Sequence, residues 1–240
     1  MSDTPSSAPA EEQKKPSLSG MFVELLFSIF VPAMILKHLS GEEMLGPSLA
    51  LIFALSFPIA LGVHGFIKEK KVGFIPAIGF LNTLLTGGIG LLKLPSEYIA
   101  YKEAAVPLVF ALAVLITTYT KRPLIRVFLY NDMIMDTRKV GNRLAELRKE
   151  AEFDLVMIKA TWMMAGSFVL SAILNFILAK WIVVSESGTD AFNDELGTLT
   201  LYSFPMIALP CMIITLFAMF YVFGNIRKLT GYELEEVMNQ

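Results

Sequence analysis

The sequence predicts an all-α integral membrane protein: six transmembrane helices forming three hairpins, with both termini in the cytoplasm. Three observations carry this reading. The 240 residues are 55% hydrophobic and only 18% charged, with a mean hydropathy of +0.60, whereas soluble domains carry about a quarter charged residues. The charges are also segregated, leaving long apolar stretches within 21–92, 103–120, 155–184 and 197–224. Hydrocarbon imposes that pattern, because a charged side chain placed in it loses its hydration. Finally, with the N-terminus placed inside, 16 of the 20 Lys and Arg residues fall on inner segments and 4 on outer loops. Such an asymmetry orients membrane helices.

Residues 1–19 are polar and rich in Pro and Ser, without the apolar core and small-residue cleavage site of a signal peptide. They read as a disordered cytoplasmic tail. Residues 20–120 hold the first four spans. Crossing ~30 Å of hydrocarbon takes about 20 apolar residues, and 21–37, 45–67, 72–92 and 104–119 supply them. Lys121-Arg122-Pro123 ends the fourth span and opens a cytoplasmic segment over 121–154. There Val140, Leu144 and Leu147 recur at helical spacing among Arg143, Glu146, Arg148 and Lys149. The pattern reads either as an amphipathic helix lying on the inner leaflet or running into the fifth span, or as a topogenic loop whose charges hold the helices in place.

Residues 155–224 carry the fifth span, 155–184, and the sixth, 198–223. The fifth is long enough to tilt or to project from the bilayer. In the C-terminal tail, 225–240, Leu229-Thr230-Gly231 reads as a glycine-capped helix end, followed by a short acidic helix over 232–238. Outer loops bearing Glu42, Glu97, Glu103, Glu186, Asp190 and Glu195 close the hairpins. Ser56-Phe57-Pro58 recurs as Ser203-Phe204-Pro205, a faint echo of the repeats from which transporters are built.

Polar side chains inside the spans are the candidates for function, since each is costly there unless packed or used. Glu24, His64 and Lys159 lie near the inner ends of the first, second and fifth spans. They share a depth, so they form either a relay open to the cytoplasm or an ion pair whose members snorkel to the interface. Asn82, Thr83 and Thr86 in the third span lie deeper, as do Ser167, Ser171 and Asn175, at i, i+4 and i+8 in the fifth. That stripe reads first as a helix-packing face and second as the lining of a substrate cavity. The candidate intramembrane polar site is therefore Glu24, His64, Asn82, Lys159 and Asn175, with Ser167, Ser171 and Trp162 as packing residues. No catalytic or metal-binding residue is expected. The sequence holds no phosphate loop, His-Glu-x-x-His or Gly-x-Ser-x-Gly motif, and its single Cys211 sits in an apolar run. A non-enzymatic, cofactor-free protein embedded in the lipid bilayer follows, with no nucleic-acid partner.

Several runs carry a family resemblance. Lys121-Arg122-Pro123-Leu124-Ile125 directly after the fourth span, with Trp162 and Asn175 in the fifth, resembles the intracellular septation protein A family. The chain is more similar still to a proteobacterial branch of multi-pass membrane proteins. The runs that carry this are Leu-Thr-Gly-Gly-Ile-Gly-Leu over 85–91, Glu103-Ala-Ala-Val-Pro107, Asn193-Asp-Glu-Leu-Gly197 and the pattern over 229–235. The resemblance implies a protein of the bacterial inner membrane acting in cell-envelope maintenance or septation, through membrane-protein partners or as a homo-oligomer. That branch is loosely labelled transporter-like, which implies an alternative: a small-molecule or lipid transporter with a polar intramembrane site. The chain departs from septation proteins in a longer N-terminal tail and a longer segment between the fourth and fifth spans.

Overall fold

In hydrocarbon every backbone N–H and C=O must be satisfied within its own segment, so apolar runs of membrane length fold as helices. The computed structural model describes residues 30–69, 74–118, 126, 130 and 135–237, apart from the side chains of 61, 62, 64–66, 68, 69, 74–80 and 234. The expected tail over 1–19, Glu24 and the basic run at 121–125 lie outside the described residues, as does the His64 side chain.

The chain runs through α1 (Phe30–Leu39), α2 (Gly46–Glu69), α3 (Phe74–Leu91) and α4 (Glu97–Thr118). After these come α5 (Thr137–Glu146), α6 (Glu150–Ile182), α7 (Asp190–Ser203), a π-helical turn (Phe204–Ala208), α8 (Leu209–Thr230) and α9 (Leu234–Val237). Among the described residues, three helical stretches are long and apolar enough to cross a membrane: α4, α6 and the continuous rod Asp190–Thr230 made by α7, the π-turn and α8. Shorter apolar stretches occupy Phe30–Leu39, Gly46–Ala60 and Leu81–Leu91. The π-turn has a local cause. Pro210 has no N–H to continue the α-helical ladder, and the Leu209 N–H bonds back five residues to the Phe204 carbonyl.

α4 and α6 form the most extensive helix pair, with α8 on a second side of α6, and α2 and α3 pair with each other. Buried apolar residues gather in two clusters, one towards each end. The first joins Val114 of α4, Val140 and Leu144 of α5, Phe153, Met157 and Met164 of α6, Val222 and Ile226 of α8, and Val237 of α9. The second joins Leu36, Leu51, Ile89, Ile99, Leu178, Phe192 and Leu199 at the other end.

That other end is acidic, and its helices begin earlier than the apolar pattern indicates. α4 starts at Glu97 rather than 104, and α7 at Asp190 rather than 198. The charges expected in loops are instead held inside helical turns by short-range partners. Glu195 accepts from the Val184 and Ser185 N–H groups at 3.0 and 2.9 Å and from the Ser185 hydroxyl at 2.7 Å. Asp194 pairs with Lys37 at 3.2 Å. The fully buried Asn193 donates to the Pro47 carbonyl at 2.7 Å. Gly197 allows α7 to touch α1, since a Cβ there would lie 2.7 Å from the Ala33 carbonyl oxygen. The Asn193–Gly197 run is thus a clasp binding α7 to α1 and α2.

The opposite end gathers most of the Lys and Arg residues, interspersed with acidic ones, and carries a cap. α6 has 33 residues and spans ~50 Å at 1.5 Å per residue, well beyond ~30 Å of hydrocarbon. Its first turns are covered rather than bare: Asp136 caps α5 by accepting from the Lys139 N–H, and α5 lays Val140 and Leu144 against α6 and α8. α8 ends at Gly231 with φ +77, and basic side chains cover its unpaired carbonyls. Arg143 donates to Thr230 and Lys149 to Leu229, each at 3.3 Å. Cations suit the negative end of a helix dipole. Lys139 reaches the Glu236 carbonyl at 2.7 Å and lies over the Tyr232 ring. The expected amphipathic helix therefore exists, with its apolar face turned onto the protein.

Candidate functional site

The deep polar residues of the third and fifth spans come together. Asn82 of α3, Glu103, Val106, Pro107 and Phe110 of α4, and Phe168, Ser171 and Asn175 of α6 line one cleft of about 330 Å³. At 1.5 Å per residue, Asn82 lies ~13 Å along its helix from Leu91, Glu103 ~9 Å from Glu97 and Asn175 ~10 Å from Ile182. All three distances are measured from the acidic end. The cleft therefore opens along the apolar length of the bundle, between the two buried clusters.

Glu103 supplies the charge that the sequence pattern assigned to a loop. Its neighbour Lys102 donates to it at 2.6 Å and to the Thr86 hydroxyl of α3 at 2.8 Å. Thr86 in turn donates to the Asn82 carbonyl one turn back. The two side chains differ in exposure, 6% for Lys102 and 27% for Glu103. The lysine is sealed between α3 and α4, while the carboxylate reaches the cleft. Placing both in a helix near its acidic end is feasible because each neutralises the other; a lone charge there would be far less stable.

The carboxamides are incompletely used. Asn175 donates to the Ser171 carbonyl at 2.8 Å and to its hydroxyl at 3.2 Å, which engages the amide nitrogen. The Asn82 Oδ1 is buried without a hydrogen-bond partner, a state worth explaining, since most buried polar atoms are paired. Phe110 and Phe168 stack with centroids 5.6 Å apart and planes at 19°, forming an apolar part of the lining two turns along α4 and α6 from Glu103 and Asn175.

The other candidates separate. Ser167 is buried and donates to the Cys211 carbonyl of α8 at 3.1 Å, bonding the fifth span to the sixth. Ser171 faces the cleft instead. Trp162 is 56% exposed, and Lys159 is also exposed on α6. Trp181, 73% exposed at the acidic end of α6, stands with exposed Tyr98 and Tyr101 at the start of α4. Such a ring of aromatic side chains suits a lipid–water interface. Sequence reasoning missed Glu103, whose signal was present: an acidic residue adjoining a lysine and followed by the apolar Ala-Ala-Val-Pro run. Among the described residues no group of three His, Cys, Asp or Glu side chains is placed to hold a metal ion.

Among the described residues, three helical stretches long and apolar enough to cross a membrane, two of which border this cleft, point to the class of helical membrane proteins. Compared with protein-family models, curated proteins and solved structures, the chain matches none.

Proposed function

We propose that this chain is a six-span protein of the bacterial inner membrane, with both termini cytoplasmic, that receives a small molecule or lipid headgroup in the cleft between α3, α4 and α6. The observation that carries the reading is the convergence of Asn82, Glu103, Ser171 and Asn175 from three helices on one opening. Polar groups at that depth are costly unless something uses them. The gathering of Lys and Arg at one end of the bundle supports the orientation through the positive-inside rule. A reporter active only in the cytoplasm is expected to work when fused after Gln240 and to fail when inserted at Gly188. The reverse pattern would invert the topology.

Occupancy of the cleft is tested by replacing Phe110 with a photo-crosslinking phenylalanine in native membranes. An adduct of defined mass is expected at 110 and not at the exposed Leu108 on the same helix. Equal capture at both positions would mean only contact with bulk lipid. A role in envelope maintenance or septation is compatible with this fold. Any partner contacts would lie elsewhere than Ser167, which is engaged internally by Cys211.

A further inference from the structure

We infer that the cleft selects an uncharged, hydroxyl-bearing group, of the polyol kind, over a cation or an anion. The inference rests on the cleft being a ligand site and concerns the chemistry it accepts. Its one charged pair is already closed: Lys102 and Glu103 are 2.6 Å apart, and the lysine side chain is only 6% exposed. A ligand cation would draw Glu103 away and strand a buried ammonium, while an anion would meet the Glu103 carboxylate at the cleft wall. Both leave an uncompensated charge in a low-dielectric site, which is heavily disfavoured.

What the cleft does offer is uncharged hydrogen-bonding groups beside one partly used carboxylate. The Asn82 carboxamide is part of its lining, the Asn175 amide nitrogen is committed to Ser171, which leaves its oxygen over, and Glu103 presents a carboxylate only partly engaged by Lys102. Hydroxyl groups satisfy such oxygens without bringing charge. The stacked Phe110 and Phe168 rings face the same space and give the C–H faces of a polyol an apolar wall. A volume of about 330 Å³ lies at the lower end of the ~300–1,000 Å³ usual for small-molecule sites, suiting a headgroup rather than a whole lipid.

Native mass spectrometry of the detergent-solubilised protein tests this with four probes: dioleoylglycerol, free glycerol, phosphatidylglycerol and phosphatidylethanolamine. Asn82→Leu/Asn175→Leu removes the carboxamides, and Phe110→Trp fills the cleft while leaving its polar wall intact. The expected result is retention of dioleoylglycerol by the parent, with about tenfold weaker retention in both variants. Equal retention of free glycerol would place the specificity in the polyol alone, and its absence would show that acyl chains are needed; both outcomes support the inference. Variant-sensitive preference for either phospholipid over dioleoylglycerol would overturn the neutral-ligand inference while leaving the cleft as a binding site. Retention of every probe unaffected by both variants would overturn the inference and the cleft reading together.

Discussion

Glu103→Gln is expected to destabilise the protein in detergent by about 3 kcal/mol, the scale for removing one partner of a buried pair. The reason lies with Lys102, whose ammonium would keep only the Thr86 hydroxyl and a neutral amide, although its side chain is 6% exposed. Lys102→Met is expected to cost less, because the Glu103 carboxylate is 27% exposed and can turn into the cleft. The double variant Lys102→Met/Glu103→Gln is expected to recover most of the loss, since no isolated charge remains. Unfolding midpoints in mixed micelles, followed by the fluorescence of Trp162 and Trp181, measure all three. Additive losses in the double variant would mean that the two side chains act independently, contrary to the 2.6 Å contact.

Leu144→Asp carries the second large effect. Leu144 is 2% exposed and packs with Val140, Phe153 and Ile226 where α5 meets α6 and α8. A carboxylate there is buried without a partner, and about 3 kcal/mol of local stability is expected to go. The cap would then open while the membrane helices stay folded. Trypsin reads this directly, because cleavage after Arg143 and Lys149 requires α5 and the α5–α6 turn to come free of the Leu229 and Thr230 carbonyls. Proteolysis that tracks the opened population is expected to accelerate about a hundredfold. An unchanged digestion rate would mean that α5 is not held by its apolar face.

The helical character of the chain was legible because period and length dominate in hydrocarbon: runs of about 20 apolar residues have few alternatives. Asn82, Ser171 and Asn175 were legible for the same reason, as polar exceptions within such runs. Their convergence was not, because helix rotation is set by packing that the sequence does not display. The acidic end was misread for an electrostatic reason. Glu97, Lys102, Glu103, Asp190 and Asp194 look like loop residues when each charge is considered alone. Pairing makes helix the better state: Lys102 with Glu103, Lys37 with Asp194, and Glu97 with Lys180 at 3.6 Å. The amphipathic stripe of α5 was visible, yet an apolar face fits a leaflet as well as a protein surface. The α8 carbonyls that Arg143 and Lys149 cover, 80 and more residues away in sequence, decide between them.

The central claim is that a polar opening lies at membrane depth beside α6, and cysteine labelling tests it most directly. In a Cys211→Ala background, Asn175→Cys lines the cleft, while Ile177→Cys, two residues along, replaces a side chain 57% exposed on the outer surface of the bundle. Thiols react through the thiolate, which requires polar surroundings. In intact membranes, a small uncharged, water-soluble methanethiosulfonate is expected to modify position 175 about tenfold faster than 177. Equal, slow labelling at both positions would contradict the account, because the cleft would then be closed to polar molecules.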